Sequence, residues 1–338
     1  MERINDLPRI ICVGSNLESE IALRGLIKAK VNIVALVTRP AGNDQATSDY
    51  RDLHSLCKEN AIQTIDTVDI NSEKVLEEIK SFSSDYIFTL GWNQLFQEPL
   101  LQLPKKFVIG SHPSLLPFGR GRAPVPWTIL QGLKESAITF FKMNIEIDAG
   151  EILLQKKFPI PENCYAYELY SLIAENLKDG FIELYESFIR GIIPKTPSTN
   201  IQPTYRAKRS PEDGLIDFNQ TSDQISRLIR AVSYPFPGAY FYYKDNIYRV
   251  WKCSADTPKN HFGVIGQILF REGNKVYVQA NDAPICFEEI TDNNKNEVSA
   301  NTFKIGSKIG YRIEDELYAL KKEILELKNK IQPDDKNE

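Results

Sequence analysis

Residues 109–127, IGSHPSLLPFGRGRAPVPW, set His112 among prolines, glycines and arginines. The chain has only three histidines, at 54, 112 and 261. Histidine is the side chain whose ordinary pKa lies closest to neutral pH, so it suits proton transfer at a reacting group. A carboxylate beside it would orient the ring and favour its charged form. Asp148, in IDAGEIL, is the acid considered for that task, although its separation from His112 in sequence does not by itself bring the two together. The same stretch holds FGRGRAP, with Arg120 and Arg122. Their planar guanidinium groups suit bidentate phosphate binding, and the bland alternative is a solvated surface loop.

Other motifs carry less chemistry. GSN at 14–16 lacks the GxGxxG pattern of dinucleotide sites and reads as an ordinary strand-to-helix turn. The aromatic run FPGAYFYYKDNIYRVW (236–251) has the residue types that stack nucleobases, but its alternation fits a small β-barrel core better. Five cysteines are scattered without a CxxC pair, and the N-terminus does not read as an export signal. Reduced thiols and a cytoplasmic setting are expected. Three histidines are too few for a His-rich zinc site, so no metal is expected. A net charge of −4 argues against a broad nucleic-acid surface, and no apolar run is long enough to span a membrane.

The elements that must position these residues follow from hydrophobic periodicity. Apolar, β-branched runs at 9–15, 31–38, 61–68, 85–91 and 106–112 alternate with helix-like stretches at 17–30, 48–60 and 72–82. That alternation predicts an α/β domain around a mostly parallel sheet, a Rossmann-like arrangement. Ligands in such sheets sit at the carboxyl ends of strands, which is where His112 stands. A helix from 123–133, strands at 137–143 and 151–160 joined by the IDAG turn, and helical sequence over 165–191 complete a first domain, 1–203. Residues 201–214 are polar and linker-like. A helix over 221–232 has Thr221 or Ser222 as N-cap and Gln224 placed for a capping box. Short β-rich runs then predict a small OB-like β-barrel, giving a second domain, 204–310. A terminal helix follows over 311–332. Ile313, Leu317, Leu320, Ile324, Leu327 and Ile331 form a heptad seam there. The helix is read either as lying on its own barrel or as joining a partner, including a homodimer.

Taken together, HPSLLPFGRGRAPVPW, AITFFKM, IDAGEILLQ, VTRPAGND and GLIDFNQTSDQISRLIRAVSYPFPGAYFYY resemble the formyltransferases that use N10-formyltetrahydrofolate. The resemblance runs over roughly residues 8–290. It is closest to the sugar N-formyltransferases and extends to methionyl-tRNA formyltransferase. It implies formyl transfer from the folate to an amine, through an oxyanion formed at the formyl carbon. His112 matches the proton-shuttling histidine and Asp148 its acidic partner. Gln94, Leu95 and Phe96, with Asn144, Ile145, Glu146, Ile147 and Asp148, match the segments lining the folate pocket. Ser114, Arg120 and Arg122 fall on the acceptor side. One departure stands out: the family motif is Asn-x-His, and this chain has Gly110 where the oxyanion-binding Asn belongs. Asn93 in GWNQLF, Ser111, Ser114 and a backbone N–H are the candidate substitutes, with Asn93 at the end of the preceding strand able to reach inward; without a substitute the chain would be slow or inactive. The acceptor implied is a nucleotide-linked amino sugar, such as a 4-amino-4,6-dideoxyhexose for surface polysaccharide, with no nucleic acid and no membrane involved. Methionyl-tRNA is the alternative acceptor. A folate- or sugar-binding protein without catalysis is the alternative of another class.

Overall fold

The computed structural model describes residues 7–42, 49–197, 201–258, 260–310 and 313–331. The end of VTRPAGND and the two ends of 311–332 therefore lie outside the described residues. The chain divides into two compact units, one of residues 1–214 with 227–238, the other of 215–226 with 239–338.

The first unit opens with β1 (Ile10–Val13), α1 (Leu17–Lys28), β2 (Ile33–Thr38), α2 (His54–Glu59), β3 (Gln63–Asp66), α3 (Glu73–Ser81), β4 (Tyr86–Thr89), α4 (Glu98–Leu101) and β5 (Phe107–His112). It continues through β6 (Arg120–Gly121), α5 (Pro124–Leu130), β7 (Glu135–Lys142), β8 (Ile152–Pro159), α6 (Ala166–Ile189) and β9 (Tyr205–Arg206). Seven strands form one sheet in the order β3-β2-β1-β4-β5-β7-β8. The five from β3 to β5 are parallel; β7 and β8 add an antiparallel edge. This is the expected α/β class. Chain order reverses between β1 and β4, so the crevice at the carboxyl ends of the strands opens there.

Alternate side chains of the buried strands serve two faces. Ile11, Val13, Ala35, Val37, Ile65, Ile87 and Val108 pack with Val75 and Ile79 of α3. On the other face Phe88 stacks on Phe181 and Tyr86 on Phe188, both from α6, with ring centroids 4.6 and 4.2 Å apart. Gly180 lets α6 approach Phe140 of β7, because a Cβ there would stand 2.2 Å from the ring. The GSN turn is a helix cap: Asn16 Oδ1 accepts from Ser19 N at 3.0 Å. A Cβ on Gly14 would collide with the Ser19 hydroxyl.

Helical sequence at 48–60 yields helix only from His54. Tyr50 instead bridges to Asn16, and Asp52 Oδ1 accepts from His54 N, a local turn that delays the helix.

Helix α7 (Ser222–Val232) carries the capping box read from the sequence. Thr221 Oγ1 accepts from Gln224 N, and Gln224 Oε1 accepts from Thr221 N. The second unit then has β10 (Ala239–Tyr243), β11 (Asn246–Ser254), β12 (Ile268–Glu272), β13 (Lys275–Gln279) and β14 (Pro284–Asp292). They form an antiparallel sheet in the order β10-β11-β14-β13-β12. The aromatic run is core, as its alternation predicts: Phe241 is fully buried against Phe287, Tyr248 and Phe303. The last element is α8 (Ile313–Ile331), in which every residue from Glu316 to Lys330 is exposed.

Candidate active site

His112 ends β5, and Asp148 lies in the connection between β7 and β8. Strand β7 runs beside β5 with His112 opposite Thr139. The β7–β8 hairpin closes tightly where Lys142 N donates to Glu151 O. A Cβ on Gly150 would stand 1.6 Å from the Lys142 carbonyl, so only glycine fits at the last position of IDAG. Asp148 itself has φ of +50°, a left-handed conformation that Asp tolerates better than most residues. The turn delivers Asp148 Oδ2 to 3.5 Å from His112 Nδ1, so the two residues singled out in the sequence do meet. At that distance the contact is one of charge proximity rather than a short hydrogen bond.

Two backbone groups of FGRGR hold the pair. Gly121 N donates to Asp148 Oδ2 at 2.9 Å. His112 Nε2 lies 2.9 Å from Gly119 O. A carbonyl only accepts, so Nε2 carries the proton and Nδ1 is left as the basic nitrogen, facing Asp148. His112 is buried, at 6 % exposure. Burial lowers its pKa below the ordinary histidine value; Asp148 and the Gly119 carbonyl pull it back up, and Arg206 adds to the lowering.

Arg206 was not legible as a site residue. It sits in the polar stretch read as a linker, yet β9 pairs with β6 and draws it inside. Arg120 N donates to Thr204 O and Arg122 N to Arg206 O, strapping the loop. The buried guanidinium reaches Gln131 Oε1 at 2.7 Å, Thr128 Oγ1 at 3.3 Å and Pro124 O at 3.4 Å. Burial pushes its pKa down to about 10. The two loop glycines answer to this residue. A Cβ on Gly119 would press on the Arg206 guanidinium at 3.0 Å, and one on Gly121 on its carbonyl at 2.5 Å. Both glycines have positive φ. The interleaved glycines of FGRGR are thus required by packing against Arg206.

On the acceptor side, Ser114 is 1 % exposed and its Oγ has no hydrogen-bond partner among the described residues; nor has the buried Nε of Arg120. Such orphaned polar atoms beside a buried His–Asp pair fit a site that a polar ligand completes. Arg122 is exposed. Among the described residues no group of three or more His, Cys, Asp and Glu is arranged to hold a metal ion.

Comparison with known proteins agrees with this geometry. The formyl transferase family model matches residues 9–184, and the formyl transferase C-terminal domain matches 208–308. This chain belongs to the formyl transferase family. A methionyl-tRNA formyltransferase of Ruminiclostridium cellulolyticum is 28 % identical over 311 residues, covering 89 % of this chain and 97 % of the relative. Among solved structures, the N-formyltransferase from Helicobacter canadensis, in complex with folinic acid and dTDP-3-aminofucose, superposes with a TM-score of 0.60 at 19 % identity, covering 83 % of this chain and 99 % of that one. HypX from Aquifex aeolicus superposes at 0.64 and 16 % identity over 88 % of this chain, which spans about half (47 %) of HypX. At these identities the superpositions speak for the fold. Family membership makes the chain a folate-dependent formyl transferase, with N10-formyltetrahydrofolate as its one-carbon donor.

The segments assigned to the folate are compatible with such a ligand. Thr89 Oγ1 donates to Met143 Sδ at 3.7 Å, setting the end of β4 beside the end of β7, where both segments begin. Leu95, Ile145 and Ile147 are each more than half exposed, an apolar surface suited to a flat ring system. Phe96 is buried in the core. The Gln94 side chain is committed to Val68 O and Ile70 N, and Asn144 Oδ1 to Glu146 N, which leaves backbone groups for a ligand. Asn93 is exposed, and its Oδ1 accepts from Arg39 Nη2 at 3.2 Å. No hydrogen bond joins it to His112 among the described contacts.

The missing family Asn has a steric counterpart. A Cβ on Gly110 would stand 2.8 Å from Met143 Cγ and 2.9 Å from the Phe141 ring. Phe141 is the β7 residue directly opposite Gly110. The space next to His112 that an Asn side chain would enter is filled by two apolar side chains.

Proposed function

We propose that this formyl transferase moves the formyl group of N10-formyltetrahydrofolate to the amine of a nucleotide-linked amino sugar, of the 4-amino-4,6-dideoxyhexose kind used in surface polysaccharide. The observation that carries the reading is the strapped FGRGR loop. It holds Arg120, whose buried Nε has no partner among the described residues, between Gly119 and Gly121, whose backbone groups contact His112 and Asp148. Arginine fits a diphosphate, and a net charge of −4 disfavours an extended tRNA surface. Five free cysteines accord with a cytoplasmic enzyme.

In this reading His112 Nδ1 takes the proton that the attacking amine sheds, Asp148 stabilises the resulting imidazolium, and the proton passes to N10 as the formyl carbon–N10 bond breaks and tetrahydrofolate leaves. Keeping His112 neutral by burial holds it ready as a base at pH 7. The Gly119 carbonyl fixes the tautomer. Negative charge developing on the formyl oxygen needs a donor other than residue 110; Asn93 Nδ2 is the side-chain candidate, and loss of such a donor costs about 100- to 1000-fold in related chemistry.

Methionyl-tRNA is the second reading, favoured by the near-full-length relative of that name. Purified enzyme, N10-formyltetrahydrofolate and parallel acceptors decide: a panel of nucleotide-linked amino sugars against charged initiator tRNA. Turnover of an amino sugar with none of the tRNA supports the proposal. Turnover of tRNA alone replaces it, and folate binding without turnover of any acceptor points to a binding protein.

A further inference from the structure

Helix α8 is 19 residues long, and all fifteen residues from Glu316 to Lys330 are exposed. Those fifteen include Leu317, Leu320, Ile324 and Leu327, each about half exposed, with spacing 3, 4, 3. An isolated helix of this length is marginal in water, and an apolar stripe this regular is costly to leave wet. Something must cover it. We infer that the occupant is a second copy of the same helix, in a parallel, in-register, two-stranded coiled coil.

The heptad register gives the reason. Leu317 and Ile324 fall at a positions, with Ile331 continuing the series in sequence; Leu320 and Leu327 fall at d. Ile324 and Ile331 at a with Leu at d are the combination that favours two strands, while Leu317 at a is neutral to it. The flanking charges choose the orientation. The g positions hold Glu316, Glu323 and Lys330, and the e positions include Lys321 and Lys328. In a parallel pair each g residue faces the e residue five positions on in the other helix. Glu316 then meets Lys321 of the second copy and Glu323 meets Lys328, twice over by symmetry, with no like-charge contact among them. In an antiparallel pair Glu316 would face Lys330 of the other helix, but at the centre Glu323 meets Glu323 and Lys321 meets Lys321, which repel, whereas the parallel pair has no such repulsion. The seam is complementary to itself, so no other protein is required to explain its pattern. It spans fewer than three heptads, so the dimer is weak and concentration-dependent.

The full-length protein tests this. Sedimentation equilibrium should show the mass doubling as concentration rises through the micromolar range. Leu320→Asp with Leu327→Asp, both on exposed positions, should abolish the doubling while the circular dichroism of the rest is kept. Leu327→Cys should form an intermolecular disulfide under mild oxidation, because d residues face each other in a parallel pair. In an antiparallel pair the two sulfurs would lie about 15 Å apart along the axis. A second pair of variants checks the charges: Glu316→Lys with Glu323→Lys should be monomeric alone, as should Lys321→Glu with Lys328→Glu, and mixing the two should restore a dimer. Monomer at every concentration, a dimer that survives the double Asp variant, or a dimer that Leu327→Cys does not cross-link would each overturn the inference.

Discussion

His112 and His54 each sit beside aspartate, and their pKa values move in opposite directions. His54 bridges Asp52 at 2.6 Å and Asp66 at 2.7 Å, at the surface end of α2. Desolvation there lowers its pKa, but the hydrogen bonds its ring donates to Asp66 and Asp52, with their charges, outweigh it, and the net shift is upward. His112 has one carboxylate at 3.5 Å and is almost wholly buried. Burial wins, and the net shift is downward. A carboxylate neighbour does not by itself make a histidine cationic; the number of hydrogen bonds against the depth of burial decides. Two contacts at the surface make an ionic brace, whereas one longer contact in the interior leaves a neutral base within reach of a counter-ion. Only the second suits a residue that must accept a proton at neutral pH.

The sharpest way to break this contrast is to remove each ring in turn. His112→Gln should cost at least about 100-fold in kcat, the usual worth of a positioned general base. His54→Gln should leave the steady-state rate within about two-fold, because a surface brace is not part of the transfer step. Equal losses would mean that the assignment of roles is wrong.

The next effect is steric. Gly110→Asn would not restore the family motif. Forcing the side chain against Phe141 and Met143 should destabilise the protein by about 1–3 kcal/mol, read from denaturant midpoints. Adding Met143→Ala should recover part of that loss by opening space. A stable Gly110→Asn enzyme with a raised rate would show that the apolar filling is readily displaced.

The acid limb of the kcat/KM profile sharpens the contrast further. It should fall below the ordinary histidine value of about 6.5. Asp148→Asn removes an interaction that raises the His112 pKa, so the limb should move lower still. Arg206→Gln removes one that lowers it, so the limb should move up, alongside a fall in kcat as the strap slackens. A limb unmoved in both variants would exclude His112 as the titrating base.

The smallest effect belongs to the surface pair. His54 has a folded-state pKa above its unfolded value. Its stabilisation is therefore fully present below the unfolded pKa and is lost as pH rises through the folded one. The Tm gap between the wild-type protein and His54→Gln should be widest in mild acid and close at alkaline pH. A gap that widens with pH would contradict the brace.

Some of this was legible in the residues. Alternating apolar runs predicted the parallel core, because strands buried on both faces read as continuous β-branched segments. Thr221 and Gln224 announced their capping box, since a cap is a contact across three residues. His112 could be placed at a strand end for the same local reason. The helix expected over 48–60 failed at its start because Asp52 captured the His54 backbone, a competition that helical periodicity does not register.

The chain's own sequence determined which residues were available for chemistry, where strands would end, and that no Asn side chain stands at 110. It also wrote the heptads and charges of α8, because a helical face repeats over a few residues. Tertiary structure alone decided that Asp148 would reach His112, that Phe141 and Met143 would fill the place of the family Asn, and that Arg206 would turn from a linker residue into the buried strap of the site. Those three depend on strands far apart in the chain becoming neighbours, and on how deep each group is buried once they do.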